Sequence, residues 1–185
     1  PQIGDKILDP ACGSGGFLIR AFQEVSRLIE SAREEEYRRR TMFSTLINDN
    51  LWGIEIDPGL HILAKINLIA HGDGYNHIYN GNGLDPDGSI RSRELIENTF
   101  DVVMTNPPFS LPQSERVLLD FFELGRERAT QETDVLFLEK CIRFIKPSGI
   151  LAIVLPEAFL NTDTNIYLRE HILEKTHVIA SISLP

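Results

Sequence analysis

An amide, two prolines and an aromatic ring follow one another at Asn106-Pro107-Pro108-Phe109, directly after the apolar run Val102-Val103-Met104. Proline fixes φ and lacks an N–H, so the pair stops ladder pairing and stiffens the chain as it leaves the strand. The Pro107 carbonyl and the Asn106 amide oxygen are then neighbouring neutral acceptors on a rigid turn beside an exposed ring. Such a turn can hold a flat molecule that carries an amino group. It can equally be an Asn-Pro turn that ends a strand, the commoner meaning of this tripeptide. The residues alone leave both readings open.

Three further segments have chemistry in them. Asp9-Pro10-Ala11-Cys12-Gly13-Ser14-Gly15-Gly16-Phe17 follows one strand and opens a helix. Its glycines, Gly13 and Gly15 among them, let the backbone turn tightly and approach a ligand closely. No Gly-Lys-Ser/Thr follows, which excludes a Walker phosphate loop. Leu18 stands at the third glycine position of a dinucleotide fingerprint, and Cys12 where a hydrolase elbow needs glycine. Asp9 puts a carboxylate ahead of the turn, which suits a cationic group better than a phosphate; S-adenosylmethionine carries both an ammonium and a sulfonium. In Gly53-Ile54-Glu55-Ile56-Asp57-Pro58, Asp57 reads as a helix cap ahead of proline. Glu55 shows no structural task in the sequence, and a carboxylate there is what a ribose diol needs. A solvated acid at a strand end is the plainer alternative. In Asn80-Gly81-Asn82-Gly83-Leu84-Asp85, an amide could read a nucleobase amine with Leu84 packed on the ring, and a simple Asn-Gly turn explains the run almost as well.

These segments need a scaffold, and the rest of the chain supplies its pattern. Strands at Lys6–Asp9, Trp52–Asp57, His77–Asn80, Asp101–Thr105 and Ile150–Leu155 alternate with helices at Gly16–Arg40, Pro58–His71, Asp134–Lys146 and Ile166–Glu174. Alternation of this kind predicts a parallel sheet covered by helices on both faces, an α/β fold. Ile150–Leu155 is apolar throughout, as a strand buried on both faces should be. Asp85–Asn98 reads as a polar loop and Val178–Leu184 as a last strand. Both ends look cut from a longer chain, and residues 1–185 read as one domain. Glu34, Glu35 and Glu36 each precede an arginine by four residues, the spacing of a solvated helix face.

Composition narrows the classes. With 42% hydrophobic and 24% charged residues the chain is an ordinary globular protein, without a membrane-length apolar run or a signal peptide. Cys12 and Cys141 read as free thiols in a reducing compartment, the cytoplasm. The five histidines lack metal-ligand spacing, so no metal is expected. The net charge of −9 argues against unaided nucleic-acid binding, because phosphate contacts supply much of that affinity.

Taken together and in this order, the four segments resemble the catalytic domain of N6-adenine DNA methyltransferases, most closely the modification subunit of type I restriction–modification systems. Asp134-Val135-Leu136-Phe137-Leu138-Glu139 and the stretch Gly149–Leu160 match that pattern too, so the resemblance covers nearly the whole chain. It implies a Rossmann-like class I S-adenosylmethionine-dependent fold, truncated at both ends. It also implies roles. Asp9, Cys12 and Gly13 would line the methionine end of S-adenosylmethionine; Glu55 would bind its ribose; Ile56 would pack on its adenine; Asn82 would stand near the adenine amine. Asn106 and Pro107 would accept hydrogen bonds from a target adenine on which Phe109 stacks.

The implied partners are double-stranded DNA and a separate DNA-specificity subunit; a nuclease subunit is left open. In the family a helix before the first strand helps close the cofactor pocket, and a further strand follows the last one here. Both are missing from this sequence, so weak cofactor affinity is expected of it alone. Two other functions use the same residues: methylation of a protein glutamine amide, which the acidic charge suits, and a non-catalytic S-adenosylmethionine-binding or assembly module.

Overall fold

In the computed structural model, residues 1–72, 76–85 and 97–184 are described. Most of the expected polar loop Asp85–Asn98 lies outside them. The chain runs β1 (Ile7–Asp9), α1 (Gly16–Ser31), α2 (Glu36–Thr45), a π-helical turn (Leu46–Asn50), β2 (Leu51–Glu55), α3 (Pro58–Ala70), β3 (Ile78–Asn80) and β4 (Phe100–Thr105). It continues through β5 (Pro112–Gln113), α4 (Arg116–Phe121), β6 (Gln131–Glu132), α5 (Thr133–Phe144), β7 (Ile145–Ile153), α6 (Ala158–Asn161), a 3₁₀ turn (Asp163–Asn165) and α7 (Ile166–Lys175).

Five strands form one sheet in the order β3-β2-β1-β4-β7, and every pairing is parallel. Successive side chains of a strand point to opposite faces, and the core divides accordingly, except at Phe100, where a register irregularity before Val102 breaks the alternation of β4. Ile7, Leu51 and Val102 pack with Leu18, Phe22, Val25 and Ile29 of α1 and with Ala64 and Leu68 of α3. On the other face Leu8, Trp52, Ile54, Phe100 and Val103 pack with Cys141 and Phe144 of α5. This is the three-layer arrangement that the alternating pattern predicts.

Four expectations change. The first helix ends at Ser31, because its apolar period stops at Ile29 and Ala32 turns to extended backbone. α2 is a separate, solvated helix with no buried residue, bearing the Glu34–Arg38 and Glu36–Arg40 ion pairs. β7 lies at one edge of the sheet, and Ile150 and Ala152 are exposed, so the run is not buried on both faces. Val178–Leu184 forms no strand: it is exposed, with no ladder partner among the described residues. An apolar run with strand propensity still needs a neighbour to pair with.

Candidate functional site

Because every strand of the sheet is parallel, the ends of β1, β2, β3 and β4 lie along one edge. Strand order reverses between β1 and β4: the chain builds β2 and β3 outward on one side of β1, then returns to place β4 on the other. The crevice at such a reversal is where open α/β sheets bind ligands. Asp9 ends β1 there. Asn106 lies just past it on the neighbouring strand, three residues beyond Val103, which pairs with Leu8. Glu55 pairs with Asn80, which brings the second and third segments together.

The glycine turn is pinned from several sides. Gly13 and Gly15 have φ of 54° and 88°, values that favour glycine, and Gly15 caps α1. The Glu55 carboxylate accepts the Gly13 N–H at 2.8 Å through Oε2 and the Asp57 N–H at 2.8 Å through Oε1. Glu55 therefore has a structural task that the sequence did not reveal: it ties the first turn to the end of β2. A hydrogen bond from Asn67 of α3 to the Ser14 carbonyl (3.0 Å) holds the same turn from below. Its only signal was a lone amide among Ile66, Leu68 and Ile69. Asp57 caps α3 as expected, accepting from Leu60 N–H at 2.8 Å.

Asp9 is 1% exposed and accepts the Ala11 N–H at 3.1 Å. Burial pushes its carboxyl up to about 7, with Glu55 adding to the shift; the Thr105 hydroxyl and the Ala11 N–H oppose it. The buried Thr105 hydroxyl completes no hydrogen bond of normal geometry. None of the groups acting on Asp9 is a cation. A buried acid placed this way is stabilised as its anion by a cationic ligand. The residues present thus fit a group with an ammonium and a sulfonium.

The third segment packs against the first. Gly83 approaches the Pro10 carbonyl so closely that a Cβ would sit 2.2 Å from its oxygen. Asn82 accepts the Leu84 N–H at 3.0 Å, an Asx turn, and stays partly exposed. Leu84 does not face the crevice; it is buried among Leu118, Leu119, Phe122, Leu136 and Phe137, so it is not presented to a ligand ring. The Cys12 side chain packs inward as well. Its thiol lies in the core beside Gly53, where a Cβ would meet Sγ at 3.0 Å, and burial near Asp9 and Glu55 holds it well above the usual thiol range. Only its main chain is left at the turn. Ile56 is 66% exposed beyond the end of β2, an apolar side chain without cover.

The fourth segment is open. Asn106, Pro108 and Phe109 are exposed and Pro107 is buried, so the turn is anchored by one ring and presents the others. Phe109 is 42% exposed. Among the described residues, no cluster of three His, Cys, Asp or Glu side chains could hold a metal, and no helix is long and apolar enough to cross a membrane.

A doubly covered parallel sheet with a glycine turn after β1 and an acid ending β2 is the Rossmann-like fold of class I S-adenosylmethionine-dependent methyltransferases. The chain belongs to the N-6 DNA methylase family, whose model matches residues 1–185. It is 31% identical over 161 residues to the type I restriction enzyme EcoEI methylase subunit of Escherichia coli, covering 86% of this chain and 30% of that protein. The crystal structure of the type I restriction enzyme EcoKI M protein is similar with a TM-score of 0.68 at 26% identity, over 93% of this chain and 34% of that one. A type I restriction-modification system methyltransferase subunit from Streptococcus thermophilus shares the fold, with a TM-score of 0.68 at 24% identity over 92% and 33% of the two chains. The chain spans about a third of the length of these relatives.

Proposed function

We propose that residues 1–185 are the catalytic domain of a methyltransferase that carries the methyl group of S-adenosylmethionine to the N6 amine of an adenine flipped out of double-stranded DNA. It would act within a type I restriction–modification system. One observation carries the reading: the exposed Asn106–Phe109 turn lies beside the buried acid Asp9, across the strand reversal of a sheet whose family is the N-6 DNA methylases.

Asp9, with the main chain of Cys12, Gly13 and Gly15, would hold the methionine end of the cofactor. Glu55 keeps free lone pairs beyond its two N–H bonds and would accept the ribose hydroxyls. Ile56 would cover the cofactor's adenine, and Asn82 would stand near its amine. When bound, S-adenosylmethionine supplies an electrophilic methyl on a sulfonium.

The target amine is a weak nucleophile because its lone pair is delocalised into the ring. The Asn106 amide oxygen and the Pro107 carbonyl would accept its two N–H bonds, drawing the lone pair out of conjugation and aiming it. That is catalysis by position and electrostatics, with no general base in the first step. A duplex hides this amine, so the base must leave the stack, and Phe109 would offer a replacement face worth roughly 1–3 kcal/mol.

The net charge of −9 supports a division of labour in which a separate specificity subunit grips and reads the DNA, with a restriction subunit as a further partner. Two buried, unbonded cysteines suit the cytoplasm. The test is methyl transfer from tritiated S-adenosylmethionine by the full-length protein with its partner subunits, scored in DNA and in protein. Label recovered as N6-methyladenine is expected. Label in protein alone would favour a glutamine amide as acceptor, and label in neither would favour a non-catalytic module.

A further inference from the structure

We infer that the start of α5 sets the position of the base-facing turn, with Asp134 and Thr133 as positioning residues; the inference rests on the methyl-transfer reading above. The turn itself is exposed and contains two residues without N–H groups, so it cannot fix itself through its own ladder. Its two ends are fixed instead. At the near end, the Thr105 carbonyl accepts the Val154 N–H at 3.0 Å. At the far end, Ser110 donates its N–H to Asp134 Oδ2 at 3.2 Å. Leu111 accepts at its carbonyl from the Thr133 N–H (2.9 Å) and from the Thr133 hydroxyl. Pro112 and Gln113 then pair with Glu132 and Gln131 as β5 and β6. Four consecutive residues after Phe109 are thus joined to the four that end at Asp134.

Asp134 is fully buried and Thr133 nearly so, although Ser110 and Leu111 are exposed. A buried carboxylate needs N–H partners, and Asp134 has two: Ser110 and, at 2.9 Å through Oδ1, Val135. The first turn of a helix also favours an anion. Ser110 has φ of 53°, the left-handed region that a non-glycine residue enters at a cost. Strain of this kind persists only where surrounding bonds over-determine it. The clamp from Asp134 and Thr133 supplies those bonds one residue beyond Phe109. Acceptors that work by aim are sensitive to displacement; an error of about 1 Å can lower a rate a hundredfold.

The experiment compares Asp134→Asn with the wild type in the full-length protein and its partner subunits. Asparagine has the same shape but one acceptor oxygen, and it places an NH₂ against one of the two N–H groups. The expected result is a fall in kcat of at least about tenfold, with cofactor Kd changed by less than about twofold and a weaker 2-aminopurine signal at the target position. A folded variant with wild-type kcat overturns the inference, as does a loss that lies wholly in cofactor Kd. Should Asp134→Asn fail to fold, Thr133→Val decides: it removes the hydroxyl bond and keeps the main-chain bond to Leu111. A drop in kcat of a few-fold, roughly that of one hydrogen bond, is expected at unchanged cofactor Kd, and no drop overturns the clamp. A wild-type complex that methylates no DNA overturns the methyl-transfer reading and the inference with it, a result distinct from an active wild type with an indifferent variant.

Discussion

On the β1–β3 side of the crevice, Asp9 and Glu55 are almost wholly buried, and main-chain N–H groups already engage both carboxylates. On the β4 side, Asn106, Pro108 and Phe109 face solvent, and the segment is held at its two ends, by Val154 at Thr105 and by Asp134 and Thr133 at Ser110 and Leu111. The chemistry of the groups explains the contrast. A carboxylate can leave water only when N–H donors or cations replace the hydration, so the acids are woven into the backbone of the turns they organise. An amide and a phenyl ring tolerate exposure without such donors. What the turn lacks is an internal framework, and β7 and α5 provide one at its two ends.

If the two sides are this different, damage to each should read differently. The largest effect is expected from Asn106→Ala in the full complex: turnover should fall roughly a hundred- to a thousandfold, the scale for losing one preorganised polar group, while cofactor binding by calorimetry stays put. A parallel loss of cofactor affinity would erase the distinction between the sides. Next comes Gly83→Ala, whose Cβ would meet the Pro10 carbonyl at 2.2 Å and force the first and third segments apart. Overpacking against backbone should lower folding stability by about 1–3 kcal/mol in chemical denaturation and weaken cofactor binding before it touches kcat. Unchanged denaturation midpoints would mean that the loop yields freely.

The third effect is the dependence on pH through Asp9. Its folded-state carboxyl stands at about 7 against an ordinary value near 3.9. Below about pH 4 both folded and unfolded chains hold the proton and nothing changes. As pH rises toward 7 only the unfolded chain gives it up, so this group's contribution to stability declines across that window and levels off above it. A cation at the crevice favours the anion, so cofactor affinity should rise with pH by at most about tenfold per unit up to 7, with proton release on binding. Calorimetry in buffers of different ionisation enthalpy measures that release, and Asp9→Asn should abolish it.

Much of this was legible in the sequence because the signals are local. The apolar runs at Ile7-Leu8 and Val102-Val103, the cap at Asp57-Pro58 and the glycine turn each depend on neighbours within a few residues, and each forms where the pattern predicts. The failures are non-local. Val178–Leu184 has the composition of a strand but, among the described residues, no neighbour to pair with. Ile150–Leu155 has the composition of a central strand, yet its place at the sheet edge depends on which strands exist to flank it. The tie from Glu55 to the glycine turn was hidden because Gly13, one of its two N–H partners, is 42 residues away.

The site divides the same way. Residue types and order at Asp9–Gly16, Glu55 and Asn106–Phe109 were determined by the sequence, since the chemistry of an amide, a ring or a carboxylate travels with the residue. Direction was decided only by tertiary structure. Leu84 and Cys12 belong to the right segments, but packing turns Leu84 toward Phe137 and Cys12 toward Gly53, because an apolar side chain goes where most surface is buried. Asp134 and Thr133 reach Ser110 and Leu111, just past Phe109, where the β5–β6 pairing brings the two segments together. A one-dimensional pattern names which chemical groups are present; which neighbours hold them in place is fixed by contacts between distant parts of the chain.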